Sequence, residues 1–167
     1  LILVGRLVRR LSRAAQDEFS VTSYRRALEA QQKGHFREEI VPVDVEVKKG
    51  ETARVEVDEE PAKVKFDKIA GLRPAFQKDG TVTAANSSTI NDGAAAVVVM
   101  ESKEAERRGL TPLARITGYA TGGVAPEWVM MAPVEAVKNL THKTGIKADQ
   151  FGLIELNEAF SAAAVAV

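Results

Sequence analysis

Few side chains in this chain are equipped for covalent chemistry, so the search for a site begins with amides and hydroxyls. The 167 residues include no cysteine and two histidines. A thiolate nucleophile, a thiolate metal site and a disulfide are therefore excluded within the chain. His35 falls in an expected turn and His142 near an expected helix end, and both read as surface histidines. Asn157 stands at a more informative place. An apolar run at residues 151–156 stops there and an Ala-rich run at 159–166 begins, the pattern of a buried strand entering a closely packed helix. Asn157 then lies at the strand's carboxyl end beside the helix's free N–H groups, where open α/β sheets place ligand chemistry. Its amide supplies hydrogen-bond donors without a change of protonation. The competing reading is an N-cap, which asparagine favours for its side-chain acceptor. Residue types leave both open.

A second polar concentration lies at residues 81–88, small and hydroxyl-rich with few apolar anchors, and reads as a loop. Asn91, Asp92 and Gly93 follow, then Ala94, Ala95 and Ala96, which permit close backbone packing with or without a ligand.

The elements that must position these residues can be taken in order. Ser12 is an expected N-cap for a helix to about Lys33, with Gly34 just past its end and Phe19, Ser23, Ala27 and Ala30 as its inward stripe. Tyr24 lies beside that stripe, as a packing residue with a wet hydroxyl. Residues 40–47 alternate apolar and polar, as do 53–57, so a half-buried hairpin around Gly50 is expected. The acidic run 58–60 reads as solvated surface. Strands are expected at 97–100, at 112–119 and at 151–156, and helices at 94–96, at 102–108 before Gly109, at 134–144 before Gly145, and at 159–166. Such alternation predicts an α/β layered fold. The Pro-bounded segment 125–133, with the only Trp, either lines a pocket or packs over the core.

Composition bounds the partners. With 45% hydrophobic and 28% charged residues the chain is globular in type, and 23 basic against 23 acidic residues leave no net field to recruit nucleic acid or an anionic membrane. No run approaches the roughly 20 apolar residues a membrane helix needs. Residues 1–10 have an apolar core of only about four residues, short of the seven or so of a secretory signal, so a truncation artefact or a helix remnant is expected there rather than a targeting peptide.

Three segments together carry a resemblance. Asn157-Glu158-Ala159-Phe160 resembles the N-E-A-F element of the thiolases. Residues 80–96 are similar to that family's G-T-V-T-A-x-N-x-S-x-x-N-D-G-A-A-A run, and residues 12–19 resemble its S-R-x-x-Q-D-x-F helix. The match covers residues 12–167, and the wording around Ala84-Ala85-Asn86-Ser87-Ser88 is similar to the acetoacetyl-CoA branch, the acetyl-CoA C-acetyltransferases.

The resemblance implies a thiolase-like layered α/β fold, present in part. Residues 1–88 would belong to a loop domain, 89–110 to the end of a first core domain and 111–167 to the first half of a second. It implies Claisen condensation of two acetyl-CoA to acetoacetyl-CoA, and the reverse thiolysis, in which a Cys carries the acyl group. Asn157 matches the family asparagine that holds a water in the oxyanion hole, Ser88 the serine that contacts pantetheine, and Ala159 and Phe160 the lining of the acyl and pantetheine channel. Lys63 offers a charge for a CoA phosphate, against the ordinary reading of a solvated lysine. Tyr24, Ala84, Ala85 and Ser87 match the positions that coordinate potassium in mitochondrial members, with oxygen donors suited to a hard cation.

No other cofactor is implied. The family's nucleophilic Cys, its G-H-P His and its C-x-G Cys have no counterpart here, and the arginine near adenine in many relatives is replaced by Ala62 and Lys63. The expectation is therefore an internal fragment, inactive alone, of an enzyme that forms homodimers or homotetramers and works in the cytoplasm, or in the mitochondrial matrix of a eukaryote. The alternatives are a degradative 3-ketoacyl-CoA thiolase and a non-catalytic thiolase-like binding or scaffold subunit.

Overall fold

A computed structural model describes residues 11–167. The reading of residues 1–10 lies outside the described residues. Contacts divide the chain into two compact units: residues 11–88 with Glu158–Ala166, and Thr89–Asn157 with Val167.

The first unit is built on helix α1, Arg13–Gln32. The Ser12 hydroxyl caps it by accepting from the Ala15 N–H at 3.1 Å. Lys33 closes the helix, and Gly34 follows at φ 72°, a left-handed conformation that glycine adopts without Cβ strain. Both ends agree with the sequence expectation. The buried stripe does not. Phe19, Ser23, Ala27 and Ala30 are only half-buried, and the buried positions are Gln16, Asp17 and Ser20. The helix thus turns a polar face inward, which is stable because most of its groups find partners; Gln16 Oε1 is the buried exception among the described residues.

Strands β1, Val43–Lys48, and β2, Glu51–Val55, form an antiparallel hairpin with Val43 opposite Val55 and Val45 opposite Ala53. Asp44 opposite Arg54 and Glu46 opposite Thr52 make the other face. The hairpin is where alternation put it, but its valine face is exposed rather than half-buried, because no described segment covers it. Two 3₁₀ turns, Pro61–Lys63 and Phe66–Gly71, then lead to the loop 81–88. The small apolar core of this unit is Val82 against Ala162, with Leu11 and Phe160 packed on it. Ala162 belongs to α4, Ser161–Ala166. In the list of helices, α2 and α3 lie between, in the second unit.

The second unit carries α2, Ser102–Arg107, followed by Gly109 at φ 64°, and α3, Ala132–Thr144, capped by Gly145 at φ 76°. A 3₁₀ turn, Pro126–Met131, feeds α3, and Trp128 within it is exposed. The strands expected at 97–100, 112–119 and 151–156 and the helix at 94–96 are corrected: none of these segments carries regular structure, and β1 and β2 are the only paired strands among the described residues. Val97, Val98 and Val99 are 85%, 86% and 70% exposed. A strand exists only through ladder hydrogen bonds to a neighbour, and no described segment supplies one.

Residues 118–122 instead run along α3. The Tyr119 carbonyl accepts from Lys143 Nζ at 3.1 Å and the Thr121 carbonyl from Asn139 Nδ2 at 2.9 Å. A Cβ on Gly122 would stand 2.2 Å from the Ala136 nitrogen, so only glycine permits this approach.

Candidate active site

The loop 81–88 is shaped by the side chain of Asn86, which is 2% exposed. Its Oδ1 accepts the Thr83 N–H at 2.7 Å, and its Nδ2 donates to the Thr81 carbonyl and to Asp17 Oδ1, each at 3.0 Å. The amide therefore ties the loop to itself and to α1. Two hydroxyls tighten the turn: Thr83 Oγ1 accepts from the Ala85 N–H, and Ser87 Oγ donates to the Thr83 carbonyl at 2.7 Å.

The segment after Asn157 pairs with this loop. Ser88 N–H donates to the Ala159 carbonyl and Ser161 N–H to the Asn86 carbonyl, both at 3.0 Å, making an antiparallel bridge of Ser87 with Phe160. Phe160 meets Phe76 edge-on at 6.2 Å between centroids. Of the residues expected to bind substrate, Ser88, Ala159 and Phe160 are thus brought together by main-chain hydrogen bonds.

Helix α1 lies under both segments, and its polar stripe holds them. Gln16 Nε2 donates to Thr81 Oγ1 at 2.9 Å. Ser20 Oγ shares a hydrogen bond of 2.7 Å with Ser161 Oγ, and Ser23 Oγ donates to the Glu158 carboxylate. Arg13 pairs with Asp17 Oδ2 at 2.7 Å and also donates to the carbonyls of Ile69 and Leu72. Sequence reasoning placed Ser23 in the inward stripe and assigned Arg13, Gln16, Asp17 and Ser20 no role of their own. The spacing 13, 16, 17, 20, 23 is a helical face, and the signal was its polarity.

The remaining expected residues fall as follows. Asn157 belongs to the other unit, is exposed, and makes no side-chain hydrogen bond among the described residues. It does not cap α4, which begins at Ser161, so the N-cap reading is set aside. Lys63 is exposed, with its ammonium on Glu60 and Glu59; the Glu60 hydrogen bond is the main cause holding its pKa above the usual lysine value.

Tyr24 is half-buried on α1; burial first, and the charge of Glu60 second, push its phenol pKa up, so it is a neutral oxygen at physiological pH. Its hydroxyl and the carbonyls of Ala84, Ala85 and Ser87 accept no hydrogen bond among the described residues, whereas the interleaved Thr83 and Asn86 carbonyls are taken. Uncharged oxygens are the donor type that a hard cation takes. No group of carboxylate or imidazole ligands is present among the described residues.

Known proteins resemble this chain in sequence and in fold. The sequence is 49% identical to an acetyl-CoA acetyltransferase of Paracoccus denitrificans over 94% of this chain and 40% of that protein. The fold matches the crystal structure of the Bacillus anthracis acetyl-CoA acetyltransferase with a TM-score of 0.92 and 38% identity, covering 98% of this chain and 42% of the other. A thiolase from Ascaris suum in complex with coenzyme A matches with a TM-score of 0.89 and 38% identity, over 99% of this chain and 42% of its own. The chain thus has the thiolase fold in part, and spans about 40% of the length of the curated relatives it matches. Residues 8–103 match the thiolase N-terminal domain and residues 110–167 the thiolase C-terminal domain, and the chain belongs to the thiolase family.

Proposed function

We propose that this chain is the middle section of an acetyl-CoA C-acetyltransferase, which joins two acetyl-CoA molecules into acetoacetyl-CoA and CoA and runs the reverse thiolysis. The observation that carries the reading is the pairing of Ser88 with Ala159, which sets the expected pantetheine contact against the expected acyl-channel residues. In the condensation, loss of a proton from the acetyl methyl group gives an enolate that attacks a thioester carbonyl. Negative charge then gathers on oxygen, and fixed donors there stabilise the transition state more than the ground state.

Asn157 supplies such a donor through a held water, and its exposed amide, not consumed in capping, is free for that task. Ser88 meets the pantetheine arm. Ala159 and Phe160 line the channel, and Lys63 exchanges its Glu59 and Glu60 partners for a CoA phosphate. Tyr24 and the carbonyls of Ala84, Ala85 and Ser87 would hold a potassium ion, which supplies positive charge that stiffens the loop. The acyl-carrying Cys cannot come from these 167 residues, which contain none. The chain by itself is therefore expected to be inactive, and the strand partners of 97–100, 112–119 and 151–156 are expected from the part of the relatives' length it does not span.

The test is thiolysis of acetoacetyl-CoA by the full-length protein. Wild type turns over and Asn157→Ala loses about 10²–10³-fold in kcat, the range seen when one oxyanion donor is removed. Unchanged turnover in that variant refutes the role of Asn157, and a wild type without thiolase activity refutes the reading as a whole.

A further inference from the structure

We infer that Asp17 is a positioning residue for coenzyme A, holding the loop 81–88 from the helix beneath it; this rests on the thiolase reading above. Asp17 is 9% exposed and its two carboxylate oxygens face different partners. Oδ2 takes Arg13 Nε at 2.7 Å, and Oδ1 takes Asn86 Nδ2 at 3.0 Å. Arg13 is itself immobilised by donating to the carbonyls of Leu72 at 3.2 Å and Ile69 at 2.8 Å, so the carboxylate is aimed from a fixed base.

Asn86 transmits that aim. With Nδ2 shared between Asp17 and the Thr81 carbonyl, and Oδ1 on the Thr83 N–H, its side chain has one orientation that satisfies every partner. Its carbonyl then takes the Ser161 N–H, and the next two residues are Ser87, opposite Phe160, and Ser88, on the Ala159 carbonyl. The charge of Asp17 thereby sets where Ser88 stands, two residues and several hydrogen bonds away, without touching substrate.

An amide at position 17 offers only one acceptor to the two donors, Arg13 and Asn86, so Asp17→Asn breaks one link while keeping the shape. Position, rather than chemistry, is what this residue supplies. Its loss should appear as weaker CoA capture with the turnover step retained, since misplaced binding groups raise KM when they act equally on ground and transition state.

The experiment uses the full-length protein, after wild type has been shown to catalyse thiolysis. For Asp17→Asn the KM for CoA rises about tenfold while kcat stays within about threefold, the split expected for uniform binding. Amide hydrogen exchange in peptides covering 81–88 speeds up by a similar factor. Asp17→Glu, which keeps the charge but lengthens the arm, gives an intermediate KM. The comparison variant is Ala105→Gly on α2, which lowers the unfolding temperature by weakening a helix elsewhere and leaves both the KM for CoA and the 81–88 exchange as in wild type.

Wild-type KM and exchange in Asp17→Asn overturn the inference while leaving the thiolase reading intact. So does a rise in KM that Ala105→Gly reproduces, because general loosening then suffices. Absence of turnover in wild type strikes the thiolase reading instead, and the exchange of 81–88 in Asp17→Asn still decides whether Asp17 holds the loop.

Discussion

Asn86 and Asn157 show how differently two asparagines are used at the scale of a residue. The first is buried with its amide engaged on three sides, and the second is exposed with its amide uncommitted among the described residues. Removing a buried group leaves its partners unpaired, each at a desolvation cost of about 1–3 kcal/mol. Asn86→Ala should therefore lower the stability of the full-length protein by about 3 kcal/mol in denaturant unfolding, while Asn157→Ala, with no partner to strand, should leave the midpoint nearly unchanged and act on kcat. A midpoint shift of the same size in both would mean that Asn157 is structural. At the helix start, Ser12→Ala removes the hydroxyl that accepts the Ala15 N–H and should cost about 1 kcal/mol. The candidate chemical residues stand out in the sequence because their types and spacing are unusual; Asn86 stood in the quoted motif, but its burial and its three partners were not legible, since they depend on residues far away in sequence.

At the scale of elements, α1 is the clearest case of a correct span with a misread face. Its cap, its length and its terminal glycine follow from local backbone chemistry, so sequence placed them well. The inward face was sought at Phe19, Ser23, Ala27 and Ala30, and the protein turned Arg13, Gln16, Asp17 and Ser20 toward the loop and the 158–161 segment, with Ser23 the one residue common to both. Burial of polar groups is invisible to a hydrophobic period, because the partners that make it stable come from sequence separations of 56 to 141 residues.

The second unit offers a sharper test of element packing. Gly122 lies against the first turns of α3, where a Cβ would collide with the Ala136 backbone nitrogen, whereas Gly123 has nothing within 4 Å. Gly122→Ala should destabilise by about 1–3 kcal/mol, as overpacking does, and Gly123→Ala should stay within about 0.5 kcal/mol. Thermal unfolding of the two variants side by side checks this, and equal midpoints would show that residues 118–122 do not dock on α3.

At the scale of the whole chain, apolar surface without a cover is the dominant feature. The valines at 97–99, Leu113, Ile116, Leu153 and Ile154 are exposed, and so is one face of the hairpin. With a sequence pI near 7.0 there is no net charge to keep copies apart at neutral pH. The isolated 167-residue chain is expected to self-associate, with a weight-average mass in sedimentation that climbs with concentration, while the full-length protein holds one defined oligomer. A monodisperse 18.0 kDa monomer at every concentration would contradict the exposure of these runs.

Sequence by itself determined what is local or chemical: the thiolase motifs, helices α1 to α4 with the glycines that end the first three, the hairpin and its register-setting alternation, and the exclusion of a thiolate within the chain. Only the tertiary structure decided which face of α1 is buried, which donors hold the loop 81–88, and that the apolar runs at 97–100, 112–119 and 151–156 have no ladder. The division has a physical basis. Caps, turns and residue chemistry are settled by neighbours within a few positions, whereas a strand and a buried polar group each exist only through a distant partner.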